Sequence, residues 1–342
     1  MTKRLVRIRA DAAPQLDLFN AARPGPHSRD RLLASQVSQI ARTVGRTPEV
    51  LVKVTGGGTK IGAVRAHLDY ISRKGREPIE TDYGQSLNGT DDQRALLDDW
   101  HLDLSAGQYR RGKAGKPPTR ALKLVHHVVL SMPAPTPPEK VLAAARKFAR
   151  EQFGAERRYA MVLHTDQRHP HVHLVVQAEG LSGRKLHIDK RLLRQWREDF
   201  ARYLREQGVA ANATPRFVRG ASRSRMHNGV LRAQRHHAST AMRDKARAVA
   251  QELMSGGVIR DPARKKLLET RRAVVAGWLE VAKRLDHQGE RELAAEVRRF
   301  VREMPPVMTD KERIARGLLQ ALTMHANIAS GRDPTREYTP TR

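Results

Sequence analysis

Two apolar runs, "RYAMVLHT" (158–165) and "HVHLVVQAEG" (171–180), are separated only by "DQRHP". So short a connection has no room for a crossover helix, and the two runs must fold back on each other as an antiparallel hairpin. That constraint excludes an all-parallel, doubly wound sheet and leaves an antiparallel or a mixed one. Two further runs supply strands: "EVLVKVT" (49–55), which ends at Gly56, Gly57 and Gly58, and "LKLVHHVVLSMP" (122–133), closed by Pro133.

Helical signals fill the intervals. Ser28 caps a short amphipathic segment, "SRDRLLASQVSQIART" (28–43). After the glycines, Ile61, Val64, Leu68 and Ile71 recur at helical spacing. Residues 77–120 combine a polar stretch, a helix at "TDDQRALLDDWHLDLS" and a basic loop. Helices over 136–154 and 189–208 end at Gly154 and Gly208. From about residue 226 the chain reads as helices only, with start signals at Ser239, Asp261-Pro262 and Thr309, and a polar tail after Gly331. The expected organisation is an N-terminal arm with a short helix (1–45), an α+β domain (46–225), and an α-helical C-terminal region with a disordered tail (226–342).

Charge narrows the partner. Lys and Arg number 64 against 36 Asp and Glu, a net +28 over 342 residues. Neutralising phosphates with such a surface releases condensed counterions, so a polyanion, above all nucleic acid, is the expected partner. The positive charge is clustered. Residues 108–123 carry six cations and no acid, and 215–235 carry six arginines and no acid, among them Arg216 and Arg219. Aromatics are only 4%, which argues against a channel of stacking platforms. With no cysteine, disulfides and thiolate metal sites are excluded, in keeping with a reducing compartment. No run reaches the ~18 apolar residues of a membrane helix, and "MTKRLVRIRADAAPQ" lacks the apolar core of a secretory signal. The chain is expected in the cytoplasm.

The hairpin also concentrates imidazoles. In a strand, side chains two apart share a face, so His171 and His173 project together. His164 ends the preceding strand, and the turn brings it back toward them. A lone histidine is more often a satisfied polar residue than a ligand, but three converging from paired strands form a standard holder for a catalytic divalent metal. Asp166 reads either as a carboxylate orienting one imidazole or as a turn former, and His169, before Pro170, is a weaker ligand candidate. By the same alternation His127 and Ser131 share a face of strand 122–132, where His127 is a candidate to orient a ligand or contact phosphate.

Tyr70 falls off the Ile61, Val64, Leu68, Ile71 stripe by more than a quarter turn and need not be core. Arg73, Lys74 and Arg76 follow it, cations that favour a phenolate and hold phosphates. Glycines 56 to 58 allow close backbone approach to an anion at the helix start. From the helix alone, a nucleophile and an ordinary half-buried tyrosine are equally good readings. Beside a metal that polarises a phosphate, a phenolate can attack in line, leaving a 5′-phosphotyrosine and a free 3′-OH.

"TGGGTKIGAVRAHLDYISRKGR" and "LHTDQRHPHVHLVV" resemble the VirD2-type conjugative relaxases and mobilisation nucleases of the HUH endonuclease superfamily. The tyrosine motif is matched by Gly56, Gly57, Gly58, Thr59 and Lys60, then by Leu68 to Gly75. The histidine motif is matched by His164, Asp166, His169, Pro170, His171 and His173, and "HVVLSMP" puts His127 and Ser131 in register with a further motif. The similarity covers roughly residues 50–220; one departure is Arg168, where the VirD2 type has an acid.

The resemblance implies an antiparallel HUH-type sheet flanked by helices, Tyr70 as nucleophile, and His164, His171 and His173 as ligands of Mg²⁺ or Mn²⁺. It further implies single-stranded or supercoiled origin-of-transfer DNA as substrate, with accessory relaxosome proteins, a coupling protein and a type IV secretion system as partners. Export attached to the transferred DNA would follow. A rolling-circle replication initiator, a metal-dependent hydrolase, and a non-catalytic basic DNA-binding protein with a structural metal are the alternatives. Against the first, no Gly-x-x-x-x-Gly-Lys-Ser/Thr loop is present.

Overall fold

The computed structural model describes residues 31–102, 122–221, 240–256 and 261–329. They fall into two compact units: Gly45–Thr214, and the described residues of Met1–Val44 together with those of Pro215–Arg342. The N-terminal arm before residue 31, most of the basic loop 108–123, the Ser239 start signal and the tail after Gly331 lie outside the described residues.

The first unit is α+β. Its elements are β1 (Leu51–Gly56), α2 (Ile61–Ile71), β2 (Ile79–Thr81), β3 (Ser86–Leu87), α3 (Thr90–Asp99), β4 (Val125–Ser131), α4 (Pro138–Phe153), β5 (Tyr159–His164), β6 (His171–Gln177) and α5 (Lys190–Glu206); α1 (Ala34–Val44) belongs to the second unit. The six strands form one sheet in the order β1-β4-β6-β5-β2-β3, every neighbouring pair antiparallel. The hairpin is β5–β6, with His164 directly opposite His171.

Strands β2 and β3 fall inside the stretch read as polar. At three and two residues they are too short to show an alternation; β2 pairs with β5 and β3 with β2, and that pairing is what makes them strands.

Alternation along the strands builds two cores. One face presents Val128, Leu130, Met161, Val172, Leu174 and Val176 to α4 and α5, where Phe148, Trp196 and Phe200 are fully buried. The rings of Phe148 and Phe153 meet Trp196 edge to face at 5.9 and 5.5 Å, a preferred geometry for aromatic quadrupoles. The opposite face presents Val125, Ala160, Val162 and Val175 to α2 and α3, with Val64, Leu68, Ile71 and Trp100 beneath. Helix α5 starts where expected: Asp189 accepts from the Leu192 amide at 2.7 Å.

One carboxyl in α5 is held out of its usual range. Burial, helped by the neighbouring Asp199, pushes Glu198 up to about 7, against the pull of Arg194 and Arg205. The folded protein therefore holds an extra proton between the ordinary glutamate pKa and about 7, and stability falls as pH rises through that window. Glu198→Gln is expected to stabilise the protein at pH 8 by roughly 1–3 kcal/mol and to change little at pH 4. Urea denaturation at the two pH values checks this; equal effects at both would remove titration as the cause.

The second unit is helical: α1 with α6 (Thr240–Met254), α7 (Ala263–His287), α8 (Arg291–Arg302) and α9 (Asp310–Ala329). Its core joins Ile40 of α1 to Val274, Trp278, Val281, Val297 and Phe300. The Trp278 indole donates to the Val218 carbonyl at 2.8 Å. Thr309 and Glu312 cap α9 reciprocally, each side chain accepting the other's amide proton at 3.2 and 2.8 Å. Among the described residues no helix is long and apolar enough to cross a membrane.

Candidate active site

The site lies on the α2 face of the sheet. Antiparallel register puts His127, Val129 and Ser131 of β4 beside Val175, His173 and His171 of β6, and Val162 and His164 of β5 complete the row. Toward one end these positions are apolar and covered by α2 and α3; toward the other they are histidines.

His164, His171 and His173 offer ligand atoms that all lie within 4.8 Å of one another and can hold a metal ion. Their ring centroids are 4.6 to 5.2 Å apart. Backbone carbonyls turn two of the rings. His164 Nε2 sits 2.6 Å from the Ile71 carbonyl and His171 Nδ1 sits 3.0 Å from the His169 carbonyl. Each nitrogen donates there, which leaves His164 Nδ1 and His171 Nε2 as the free lone pairs, the usual way a protein aims an imidazole at a metal. Burial pushes His173 down to about 3, with His164, His171, His67 and Arg73 acting in the same direction, and burial also lowers His171. Both rings are therefore neutral at pH 7, the form that binds metal. The donor set fits a divalent ion: three imidazoles gathered at the end of the β5–β6 hairpin, two of them oriented from behind.

Tyr70 stands next to this cluster. It is 57% exposed on α2, and its ring centroid is 6.5 Å from that of His173, edge-on. The Arg73 guanidinium lies 5.7 Å from the Tyr70 ring centroid. Arg73 also forms an ion pair with Asp166 of the β5–β6 turn, tying the tyrosine helix to the histidine hairpin. Arg73 and Lys74 both have left-handed backbone, at φ 53° and 58°. The chain leaves α2 there in a tight reversal, with the Lys74 amide donating to Asp69 at 2.7 Å.

The supporting residues act by routes that spacing does not disclose. Asp166 pairs with Arg73, and the carbonyls of Ile71 and His169 orient the imidazoles. The His169 ring points elsewhere, its Nδ1 accepting from the Ala134 amide at 3.1 Å. Ser131 is buried and its hydroxyl donates to the Pro170 carbonyl at 3.0 Å, anchoring the turn before His171.

Gly57 and Gly58 approach protein closely. A Cβ on Gly57 would lie 2.4 Å from the Val125 carbonyl oxygen, and one on Gly58 would lie 2.5 Å from Val64 Cγ2. Gly57→Ala is therefore expected to cost about 1–3 kcal/mol, since backbone must move. A urea midpoint equal to wild type would sink that account. Thr59 and Lys60 are exposed at the start of α2, as are Lys74 and Arg76 beyond its end. Arg216 and Arg219 belong to the other unit.

His67, three residues before Tyr70, is a site residue that sequence reasoning missed. Its ring stacks on His127 with centroids 3.5 Å apart and planes 8° from parallel. Burial lowers His67, and burial followed by His67, Lys123 and His126 pushes His127 down to about 3.

Comparison with known proteins agrees with this geometry. The family model described as "Relaxase: MobA/VirD2-like, nuclease domain" matches residues 70–209. The chain is similar to the T-DNA border endonuclease VirD2 of Rhizobium radiobacter, 29% identical over 187 residues that cover 50% of this chain and 43% of the relative. It is likewise 30% identical over 145 residues to VirD2 of Agrobacterium fabrum, covering 40% of this chain and 31% of that protein. The matched region thus spans less than half the length of either relative. Tyr70 opens the matched segment and the histidine triad lies inside it: the chain contains a MobA/VirD2-like relaxase nuclease domain, distantly similar to VirD2.

Proposed function

We propose that this chain is a single-tyrosine DNA relaxase that nicks one strand at an origin of transfer for conjugative transfer or mobilisation. The observation that carries this reading is an exposed tyrosine, Tyr70, edge-on to a three-imidazole cluster. A Mg²⁺ or Mn²⁺ ion held by His164, His171 and His173 would polarise the scissile phosphate. The chain's own part is to present the nucleophile: α2 holds the Tyr70 hydroxyl in the open, and Arg73 sits over its ring.

The Tyr70 oxygen attacks phosphorus, a tyrosyl O–P bond forms and the P–O3′ bond breaks. In the balance the phenol proton ends on the 3′-hydroxyl. One ester replaces another, so the linkage can be reversed to rejoin the strand, which distinguishes this chemistry from hydrolysis.

The net charge of +28 supports a DNA substrate, single-stranded or supercoiled. The relatives' name, T-DNA border endonuclease, is in keeping with cutting at a defined DNA sequence. Thr59, Lys60, Lys74 and Arg76 flank the tyrosine helix as phosphate contacts, with Arg216 and Arg219 as further ones. Accessory relaxosome proteins, a coupling protein and a type IV secretion system are the partners of this reading. The reaction takes place in the bacterial cytoplasm, and the product is exported as a protein–DNA conjugate.

The test is a denaturing gel of the full chain with single-stranded DNA from the element's own transfer origin and Mg²⁺ or Mn²⁺, followed by peptide mapping of any adduct. The expected result is DNA attached to the peptide containing Tyr70 and lost with a chelator. Protein-free 5′-phosphate ends would instead make the chain a hydrolase. Binding without cutting would favour a DNA-binding protein with a structural metal, and adducts formed only on a replication origin would favour an initiator.

A further inference from the structure

Beside the triad lies a second pair of imidazoles outside it, one on the same sheet face and one on α2. His67 of α2 lies flat on His127 of β4, with centroids 3.5 Å apart and an 8° angle between planes. The His67 ring centroid also lies 6.2 Å from that of Tyr70 and 6.3 Å from that of His173. His67 therefore has ring neighbours on β4, on β6 and in Tyr70 itself.

Its place on the helix gives that contact leverage. Val64, Leu68 and Ile71 are fully buried and form the stripe on which α2 rests. At ~100° per residue, His67 lies about 60° around the helix from Val64, and Tyr70 about 60° further in the same sense. A stripe of aliphatic side chains tolerates some roll, because dispersion contacts are non-directional. A flat ring on a flat ring does not: rolling α2 either separates the two planes or drives them together. With side chains reaching ~5–6 Å from the axis, a roll of about 10° carries the tyrosine ring by roughly 1 Å.

The pair contributes this through ring surface. The Nε2 atoms of both His67 and His127 are buried and have no hydrogen-bond partner, so the contact contains no polar bond at those atoms. His127 is itself held by the sheet, opposite Gly56 of β1 and Val175 of β6, with its carbonyl accepting from the Thr55 hydroxyl at 3.4 Å.

We infer that His67, stacked on His127, is a positioning residue that fixes the roll of α2 and thereby places Tyr70 against the metal cluster. The inference rests on the nucleophilic role proposed for Tyr70. A displacement of ~1 Å at a reacting group costs up to about 100-fold in rate without weakening substrate binding.

Two variants of the full chain test it. His67→Ala is expected to lower the rate of adduct formation at saturating origin DNA by about 10–100-fold, with half-saturation by DNA unchanged. His67→Phe, which keeps a flat ring and removes both nitrogens, is expected to return the rate to within about threefold of wild type. A second readout needs no catalysis. In fluorotyrosine-labelled protein, the fluorine resonance that disappears in Tyr70→Phe is expected to be broadened by Mn²⁺ equally in wild type and His67→Phe, and less in His67→Ala.

If His67→Phe is as slow as His67→Ala, the imidazole nitrogens act chemically and the positioning role is overturned. Wild-type rate and broadening in His67→Ala would overturn it as well. A wild type that forms no adduct on Tyr70 counts against the relaxase reading itself, and the fluorine comparison then decides the stack alone.

Discussion

Tyr70→Phe is expected to abolish the covalent protein–DNA product, lowering its rate by at least ~10³-fold, because no other group replaces a lost nucleophile oxygen. The change removes one hydroxyl from a side chain that is 57% exposed and off the buried stripe of α2. Stability should therefore stay within about 0.5 kcal/mol of wild type. Affinity for origin DNA should also hold, since on the proposed reading it resides in phosphate contacts from lysines and arginines. The measurements are adduct yield on a denaturing gel, DNA binding by fluorescence anisotropy, and the thermal midpoint. Wild-type adduct yield from the variant would exclude Tyr70 as the attacking group, and lost DNA binding would move its role to recognition.

The double variant His171→Ala/His173→Ala should be as severe by a different route. It removes two of three imidazoles, leaving a single ligand that cannot compete with water for a divalent ion. Metal affinity is expected to fall by at least ~10³-fold and adduct formation with it, given ~10–100-fold for loss of even an orienting partner. The fold should survive. His171 and His173 are paired to β4 and β5 through backbone, and the apolar residues between and beyond them, Val172 and Leu174, fill the other core. Titration calorimetry with Mn²⁺ and the far-ultraviolet circular dichroism spectrum check both halves. Mn²⁺ binding at wild-type strength would place the metal elsewhere. An intact adduct without metal binding would remove the metal from the reaction.

These two effects differ in how they reach the chemistry, and the difference bears on the support around the site. His164 and His171 are aimed by the carbonyls of Ile71 and His169, groups that no side-chain substitution deletes. Ile71 belongs to the tyrosine helix, so one hydrogen bond links the placement of a triad imidazole to that of Tyr70. The Arg73–Asp166 ion pair makes a second link between the same two elements.

Much of this was legible in one dimension, because strand and helix periodicities are local. Period two along 171–177 puts His171 and His173 on one face with Val172 and Leu174 on the other, as the structure shows. The five-residue turn forces an antiparallel hairpin, and so brings His164 back to His171. The angular offset of Tyr70 from the apolar stripe separates it from the core, and it is exposed. The cap of α9 follows from Thr309.

What was not legible involves residues far apart in the chain. Nothing near His67 in sequence distinguishes it from any half-buried helical histidine; its partner lies 60 positions away on β4. Asp166 reads as a carboxylate for an imidazole or as a turn former; its ion pair with Arg73, 93 positions away, shows only once the reversal after α2 is in place. Strand β2 forms on the edge that β5 offers, and β3 on the edge of β2. Glycines 56 to 58 read as room for an anion; that a Cβ on Gly57 would meet the carbonyl of Val125, and one on Gly58 the side chain of Val64, is visible only in the structure. The amino-acid sequence alone thus determined which residues share a face, since backbone geometry repeats every two or 3.6 residues whatever the rest of the chain does. Only the tertiary structure decided which faces meet, because that depends on the summed packing of two cores, in which each contact is worth a few tenths of a kcal/mol and no single residue announces its partner.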